Sequence, residues 1–349
     1  YDIRHTGVHC NLIRGDAVRL VSFIPPDGSP ARAGVLLGDT IIDLAAAAPL
    51  VNEDASDVSW DMLTLLRADH PEVNLATAAE IVQAVVNLMG SEDTTTADDF
   101  DWHGGLTIGD TALILPVTQV RVVSPLPQVV SLREFDALVD NQTAALRQAA
   151  GYWVGDRHQP AFRFAGHTAI YGPDERIELP TMAPLDCGMA LGCVIGRSGR
   201  DIAPEEADAY IAGYLLVNAW TVRDPLLNAR RPRDFATSLG PWLVTPDELE
   251  NYRDDDGRLL LTLHLMINGR DVSYYHTGLM RFSFAELIAF ASQDTWLQPG
   301  EIIVSGVAAG GCLLDIHGDS GPWLRHGDEV VLVCSELGQL RSPIGWLSE

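Results

Sequence analysis

Asp136 and Asp140 stand four residues apart, a spacing that can put two carboxylates on one helical face and let each raise the other's proton affinity. Solvated helix carboxylates are the plainer expectation for such a pair. His167 could shuttle a proton if its ring points inward, because imidazole titrates near neutrality. No partner for it is visible in sequence, so a surface loop is expected. The run Gly306 to Gly311 (GVAAGG) lacks the lysine of a phosphate loop and the context of a dinucleotide fingerprint, and reads as a tight structural turn. The ten histidines form no HExxH and no His/Cys set with zinc spacing, and a GxSxG elbow is absent.

The elements that must carry these residues are legible in outline. The segment from Val18 to Phe23 is strand-like, and Gly34 to Leu37, Gly38-Asp39 and Thr40 to Leu44 read as a strand, a turn and a returning strand. DMLTLLRAD and LATAAEIVQAVVNLM have helical spacing that would bury Leu, Val and Met on one side. Ser91 to Trp102 is acidic and Thr-rich, as in an exposed connector. Beyond Pro116 the chain turns to short apolar runs such as CVIG, LLLTLHLMI, EIIVSG and EVVLVC, limited by Gly, Pro, Asp or Asn. Two helices are expected among them, Glu205 to Ala212 and Ser283 to Ala291, the second opened by a capping box of Ser283 and Glu286. The expectation is an α+β, β-rich protein with a small N-terminal α/β domain and acidic connector (16–115) before a larger C-terminal domain (116–349).

With 349 residues, 47% of them hydrophobic, the chain can fold around one large core or two unequal ones. Its 23 Lys+Arg against 48 Asp+Glu leave a formal charge of -25, which argues against nonspecific binding to nucleic acid or an anionic membrane. Cys10, Cys187, Cys193, Cys312 and Cys334 form no CxxC and suit a reducing compartment as small buried hydrophobes. No apolar stretch is long enough to span a bilayer, and the first residues lack a basic-then-apolar signal pattern, so a cytoplasmic protein is expected.

Several blocks together resemble the fumarylacetoacetate hydrolase family. They are Leu132-Arg133-Glu134-Phe135, GHTAIYGP (Gly166 to Pro173), LDCGMALGCVIG (Leu185 to Gly196), GRDI (Gly199 to Ile202) and IAGYLLVNAWTVRD (Ile211 to Asp224). The likeness continues through DFATSLGPWLVTPDEL (Asp234 to Leu249), Asn268-Gly269, FSFAELIAFAS (Phe282 to Ser292), LQPG (Leu297 to Gly300) and LRHGDEV (Leu324 to Val330). ARAGVLLGDTIIDLAAA resembles the family's small leading domain. The resemblance implies a mixed β-sandwich roll, a homodimer through the larger domains, and a magnesium or manganese ion that holds a dicarbonyl substrate.

The residues such an ion would need are replaced. The family's DxExE glutamates fall on Gly188 and Ala190, and the aspartate of NDxSxRD falls on Ala219, leaving Glu134 as the one acidic ligand. One carboxylate does not make a stable magnesium site. The Glu and His of RDFxxFExH fall on Val139 and Asn141, the water-activating glutamate on Asp315, and the threonine of the SGT turn on Val307. The resemblance therefore implies no metal and no cofactor here.

What the resemblance keeps is positive charge. Arg223 matches the arginine of NDxSxRD, Arg231 falls where a substrate-binding lysine stands, Arg233 lies two residues on, and Arg163 is near a substrate-facing tyrosine position. Guanidinium groups can fork onto a carboxylate or an enolate-like oxygen, or pair with Asp186, Asp224 and Asp234 as structural supports. Arg223, Arg231 and His167 are the catalytic candidates; Arg163, Arg233, Asn141, Asp315 and Val307 are the substrate-binding ones. The expected function is a metal-independent cyclisation, dehydration, isomerisation or lyase step of specialised metabolism on an oxygenated small molecule. A noncatalytic binding or scaffold homologue and a metal-dependent carbon-carbon hydrolase with replacement ligands are the alternatives.

Overall fold

Strands β1 (Arg19–Ile24), β2 (Arg32–Leu37) and β3 (Thr40–Asp43) form an antiparallel meander. Leu37 pairs with Thr40, so Gly38-Asp39 is the two-residue turn, and Gly38 takes a φ of 60° that a side chain would resist. Helices α1 (Met62–Arg67) and α2 (Leu75–Gly90) follow, and Asp61 caps α1 by accepting from the amides of Leu63 and Thr64. Strand β4 (Ile114–Pro116) returns to pair with β3. The structure, a computed structural model, describes residues 19–52, 58–90, 106–108, 111–156, 158–179, 184–224 and 233–346.

The remaining elements that matter for the site come in the order β5 (Ser131–Glu134), α3 (Asn141–Ala149), β6 (Arg163–Ala165), β7 (Ile177–Leu179), β8 (Met189–Ile195), β9 (Ile211–Asn218) and β10 (Thr237–Val244). Then follow β11 (Thr262–Ile267), β12 (Arg270–His276), α4 (Phe284–Ser292), β13 (Glu301–Val304), α5 (Leu313–His317), β14 (Glu329–Cys334) and β15 (Gly338–Trp346). A twelve-stranded mixed sheet has ten strands in the order β4-β3-β2-β1-β10-β9-β8-β13-β5-β6 and two short ones off that path, Arg121–Val123 beside β1 and Ile170–Tyr171 beside β10, and a five-stranded sheet runs β7-β15-β14-β11-β12.

The central strands explain how the layers stack. Every residue of β8 and β9 is buried, and successive side chains alternate between two cores. Leu191, Cys193, Ile195, Tyr214 and Leu216 share one core with Leu263, Leu265, Leu332 and Leu340 of the five-stranded sheet. Ala190, Val194, Leu215 and Val217 turn the other way, toward Met62, Leu65, Ile81 and Val85 of the N-terminal helices. The architecture is thus α+β, a two-sheet sandwich with an N-terminal α/β region on its outer face. Leu20 of β1 pairs with Leu243 of β10, so strands from both sides of residue 116 share one sheet.

Two local expectations are corrected. The segment expected as a helix from Glu205 to Ala212 is a 3-10 helix over Pro204–Tyr210, and Ile211 already opens β9, because the apolar run IAGYLLVN is claimed by the sheet. Asp136 and Asp140 share no helical face: α3 starts at Asn141, and Asp140 is its N-cap, accepting from the Thr143 amide at 2.7 Å. Helices α3, which is mostly polar, and α5, which is only five residues long, were not expected. The acidic stretch Ser91 to Trp102 lies outside the described residues.

Candidate active site

Strands β5 and β6 pair antiparallel with Glu134 directly opposite Arg163, which sets a carboxylate and a guanidinium side by side. Arg163 approaches both Glu134 oxygens, at 3.4 and 3.5 Å. A second guanidinium arrives from the loop before β10: Arg233, in the left-handed region at φ 58°, donates through Nε to Glu134 Oε2 at 2.8 Å. Its Nη1 donates to the carbonyl of Trp220. Burial alone would raise the pKa of Glu134, but the fields and hydrogen bonds of Arg163 and Arg233 hold it at about 2. Burial and the nearby Arg163 and Arg223 draw the pKa of Arg233 down while Glu134 opposes them, and a guanidinium remains charged under such a pull.

Arg223 completes the cluster from the end of the NAWTVRD segment. Its Nε donates to Asp186 Oδ2 at 2.8 Å, and Asp186 also accepts from the amides of Leu313 and Leu314 at the start of α5. Two adjacent aromatic residues cover these arginines. The Tyr152 ring centre lies 4.6 Å from the Arg223 guanidinium carbon, and the Trp153 ring centre 5.2 Å from that of Arg163. Three guanidiniums thus stand against two carboxylates, Glu134 and Asp186.

Beside the cluster lies a further buried arginine, Arg147 of α3. It forks onto Asp315 through Nε at 3.0 Å and Nη2 at 2.6 Å, and donates to the carbonyls of Val307 and Ala308 at 3.1 and 3.0 Å. Gly310 also donates its amide to Asp315, so Arg147 and Asp315 together fix the glycine-rich turn. Within that turn Gly306, at φ 85°, leaves only 2.2 Å between an added Cβ and the Phe135 carbonyl oxygen. This is the structural turn that GVAAGG suggested.

The positions where a cation would be held are packed shut. A Cβ on Gly188 would lie 2.6 Å from the Ala219 carbonyl oxygen and 2.8 Å from Cγ2 of Val307, and Ala190 and Ala219 are fully buried. Asn218 accepts the Gly188 amide through Oδ1 at 2.8 Å, which leaves its buried Nδ2 as a donor with no hydrogen-bond partner, the wrong sign for a cation. Among the described residues no group of three or more His, Cys, Asp or Glu could hold a metal ion. The side chains present do not fit the magnesium or manganese that the resemblance implies, because hydrocarbon and an amide donor stand where anionic oxygens are needed.

The structure therefore brings Arg163, Arg223 and Arg233 together around Glu134 and Asp186. Arg231 lies outside the described residues. His167 is exposed in the bend after β6, next to Gly166, whose amide donates to the Arg233 carbonyl at 2.8 Å. Asn141 is exposed at the first turn of α3, Val307 fills the former cradle, and Asp315 is engaged by Arg147. Sequence reasoning missed Arg147, Tyr152 and Trp153; the one available signal was the pair of aromatics directly after Gly151. A groove of about 550 Å³ lined by Ile202, Phe282 and Phe290 among others includes none of these residues.

Residues 137–345, more than half of the chain, match the family model described as fumarylacetoacetate (FAA) hydrolase C-terminal. The chain belongs to the fumarylacetoacetate hydrolase family. It is 29% identical over 193 residues to a 2,4-didehydro-3-deoxy-L-rhamnonate hydrolase of Sphingomonas sp. (strain SKA58), covering 53% of this chain and 65% of that protein. It is 34% identical over 157 residues to a 4-hydroxyphenylacetate degradation bifunctional isomerase/decarboxylase of Salmonella dublin, covering 43% of this chain and 33% of that protein. The chain thus spans less than two thirds of the length of these curated relatives. The maleylpyruvate hydrolase of Sphingobium sp. SYK-6, solved in complex with manganese(II) ion and pyruvate, shares the fold with a TM-score of 0.65 at 20% identity, over 94% of this chain and 99% of that one. Within the fumarylacetoacetate hydrolase family this member is divergent at the cradle, where Gly188, Ala190 and Ala219 stand.

Proposed function

We propose that this chain is a metal-independent enzyme of specialised metabolism that binds a small carboxylate- or dicarbonyl-bearing molecule and promotes a cyclisation, dehydration, isomerisation or related lyase step. The observation that carries the reading is the exchange of roles between two neighbouring places. Val307 and Ala219 pack the cradle, and the charge is supplied by guanidiniums around Glu134 and Asp186. The relatives, among them a 2,4-didehydro-3-deoxy-L-rhamnonate hydrolase and an isomerase/decarboxylase, support an acidic small-molecule substrate.

In this reading Arg163 and Arg233 hold the substrate carboxylate, while Arg223 and Arg231 stabilise negative charge that develops on a carbonyl oxygen. His167, in the exposed bend whose Gly166 amide bonds the Arg233 carbonyl, is assigned the proton-transfer role. Asn141, Asp315 and Val307 shape the surroundings, Asp315 through its hold on Arg147. The protein works in the cytoplasm as a homodimer. A noncatalytic binding role has one observation in its favour: Arg223 and Arg233 already have internal carboxylate partners.

The test is incubation of chelator-treated protein with a panel of β-dicarbonyl and 2-oxo acids, followed by product analysis. Product formation unchanged by EDTA and abolished in Arg223→Met supports the enzyme reading. Binding without turnover across the panel supports the scaffold role instead. Turnover that appears only on adding magnesium or manganese overturns metal independence.

A further inference from the structure

Tyr152 and Trp153 are consecutive, yet their rings cover two different arginines, Arg223 at 4.6 Å and Arg163 at 5.2 Å. The segment that carries them is tied at both ends. The Tyr152 amide donates to the Arg147 carbonyl at 2.9 Å, and the Gly155 amide donates to Asp136 Oδ2 at 3.1 Å. Gly151, at φ 79°, makes the turn out of α3 that delivers the pair. A Cβ on Gly155 would sit 3.4 Å from Cη2 of Trp153, so the indole is also packed against its own loop.

The two site arginines differ in what holds them. Arg223 has a short bond to Asp186, whereas Arg163, with its side chain 28% exposed, reaches Glu134 only at 3.4 to 3.5 Å because Arg233 takes that carboxylate at 2.8 Å. A carboxylate so shared does not fix the plane of the Arg163 guanidinium. The Trp153 ring, over which the Arg163 guanidinium carbon sits at 5.2 Å, supplies a second contact that limits where the group can turn, and a guanidinium held in place can receive a carboxylate as a fork.

We propose that Trp153 and Tyr152 are positioning residues that orient Arg163 and Arg223 for an anionic ligand, an inference that rests on the carboxylate-binding reading above. Trp153 is the more telling of the two, being 39% exposed and replaceable without opening the core.

The experiment is titration of the full-length protein with malonate, with neutral malonamide as control, in wild type and in the variants Trp153→Phe, Trp153→Leu, Arg163→Lys and the double variant Trp153→Leu/Arg163→Lys. Calorimetry gives the affinity, and the Arg163 Nε–H resonance reports whether a ring current acts on the guanidinium. Trp153→Leu should weaken malonate binding roughly two- to five-fold and move the resonance downfield. Trp153→Phe should retain both, and the double variant should bind no more weakly than Arg163→Lys alone. Tyr152→Leu should weaken binding where Tyr152→Phe does not. Equal affinity in wild type and Trp153→Leu, or losses that simply add in the double variant, overturn the positioning role and leave the carboxylate site standing. No malonate binding by wild type overturns both.

Discussion

The Nε of Arg233 lies 2.8 Å from Oε2 of Glu134, and both side chains are almost wholly withdrawn from solvent, at 3% and 4% exposure. Removing the charge of Glu134 leaves Arg233 buried beside Arg163 and Arg223 with like charges around it. Glu134→Gln should therefore cost about 3 to 5 kcal/mol of stability, read as a fall in the urea midpoint with an unchanged slope. A variant as stable as wild type would show that water reaches Arg233 freely.

The same carboxylate gives the protein an acid limb. Its folded pKa of about 2 lies below the ordinary 4.5, so ionised Glu134 contributes stability that is fully present above about 4.5 and is lost as pH falls toward about 2. The loss attributable to this one group is roughly 3 kcal/mol across that window. Denaturation midpoints measured from pH 6 to pH 2 should fall steeply in wild type and with a shallower slope in Glu134→Gln.

Arg147 spends its donors on Asp315, on the carbonyls of Val307 and Ala308, and near Asp136 at 3.9 Å, joining α3 to the glycine-rich turn and α5. Arg147→Met strands Asp315, which is buried, and the expected cost is about 3 to 5 kcal/mol. Hydrogen exchange should localise the change, with amides of residues 308–315 losing protection while those of the central strands β8 and β9 keep most of theirs. Uniform loss across the sheet would count against a local pin.

Much of the fold was readable because its signals are local. The Gly38-Asp39 turn follows from two glycine-tolerant positions between apolar runs, and the Ser283–Glu286 capping box is present with both of its hydrogen bonds. The replaced cradle was also readable, since Gly188, Ala190 and Ala219 cannot donate a carboxylate wherever they fold. What stayed hidden depends on tertiary pairing. Nothing near residue 147 in sequence says that its guanidinium meets Asp315, 168 positions away. The sharing of Glu134 between Arg163 and Arg233 likewise needs β6 and the loop before β10 to converge. The helix expected from Glu205 to Ala212 gives way to a 3-10 helix because the sheet takes the apolar residues that follow.

The packed cradle makes a steric prediction. Gly188→Ala places a methyl 2.6 Å from the Ala219 carbonyl oxygen, a backbone atom that cannot swing aside, and 2.8 Å from Val307. A cost of about 1 to 3 kcal/mol is expected, and Val307→Ala in the same chain should recover only part of it because the carbonyl contact remains. Thermal melts of wild type and these two variants decide this. A neutral Gly188→Ala would mean that the cradle is open enough to admit a larger side chain, and with it a ligand.

The four cysteines among the described residues should be nearly inert in the native protein. Burial pushes the thiols of Cys312 and Cys334 up to about 12, and it raises those of Cys187 and Cys193 well above their ordinary value. A thiol with a pKa of about 12 is ionised in roughly one molecule in ten thousand at pH 8, and the thiolate is the species that reacts. All four side chains are also buried, so a reagent must wait for the fold to open. Iodoacetamide at pH 8 followed by peptide mass analysis should leave these four unmodified over the time in which guanidine-unfolded protein is fully alkylated. Rapid native labelling of Cys312 in particular would show that the Arg147–Asp315 clamp opens readily, because its sulfur lies 3.9 Å from Arg147 Nη2 beneath that clamp.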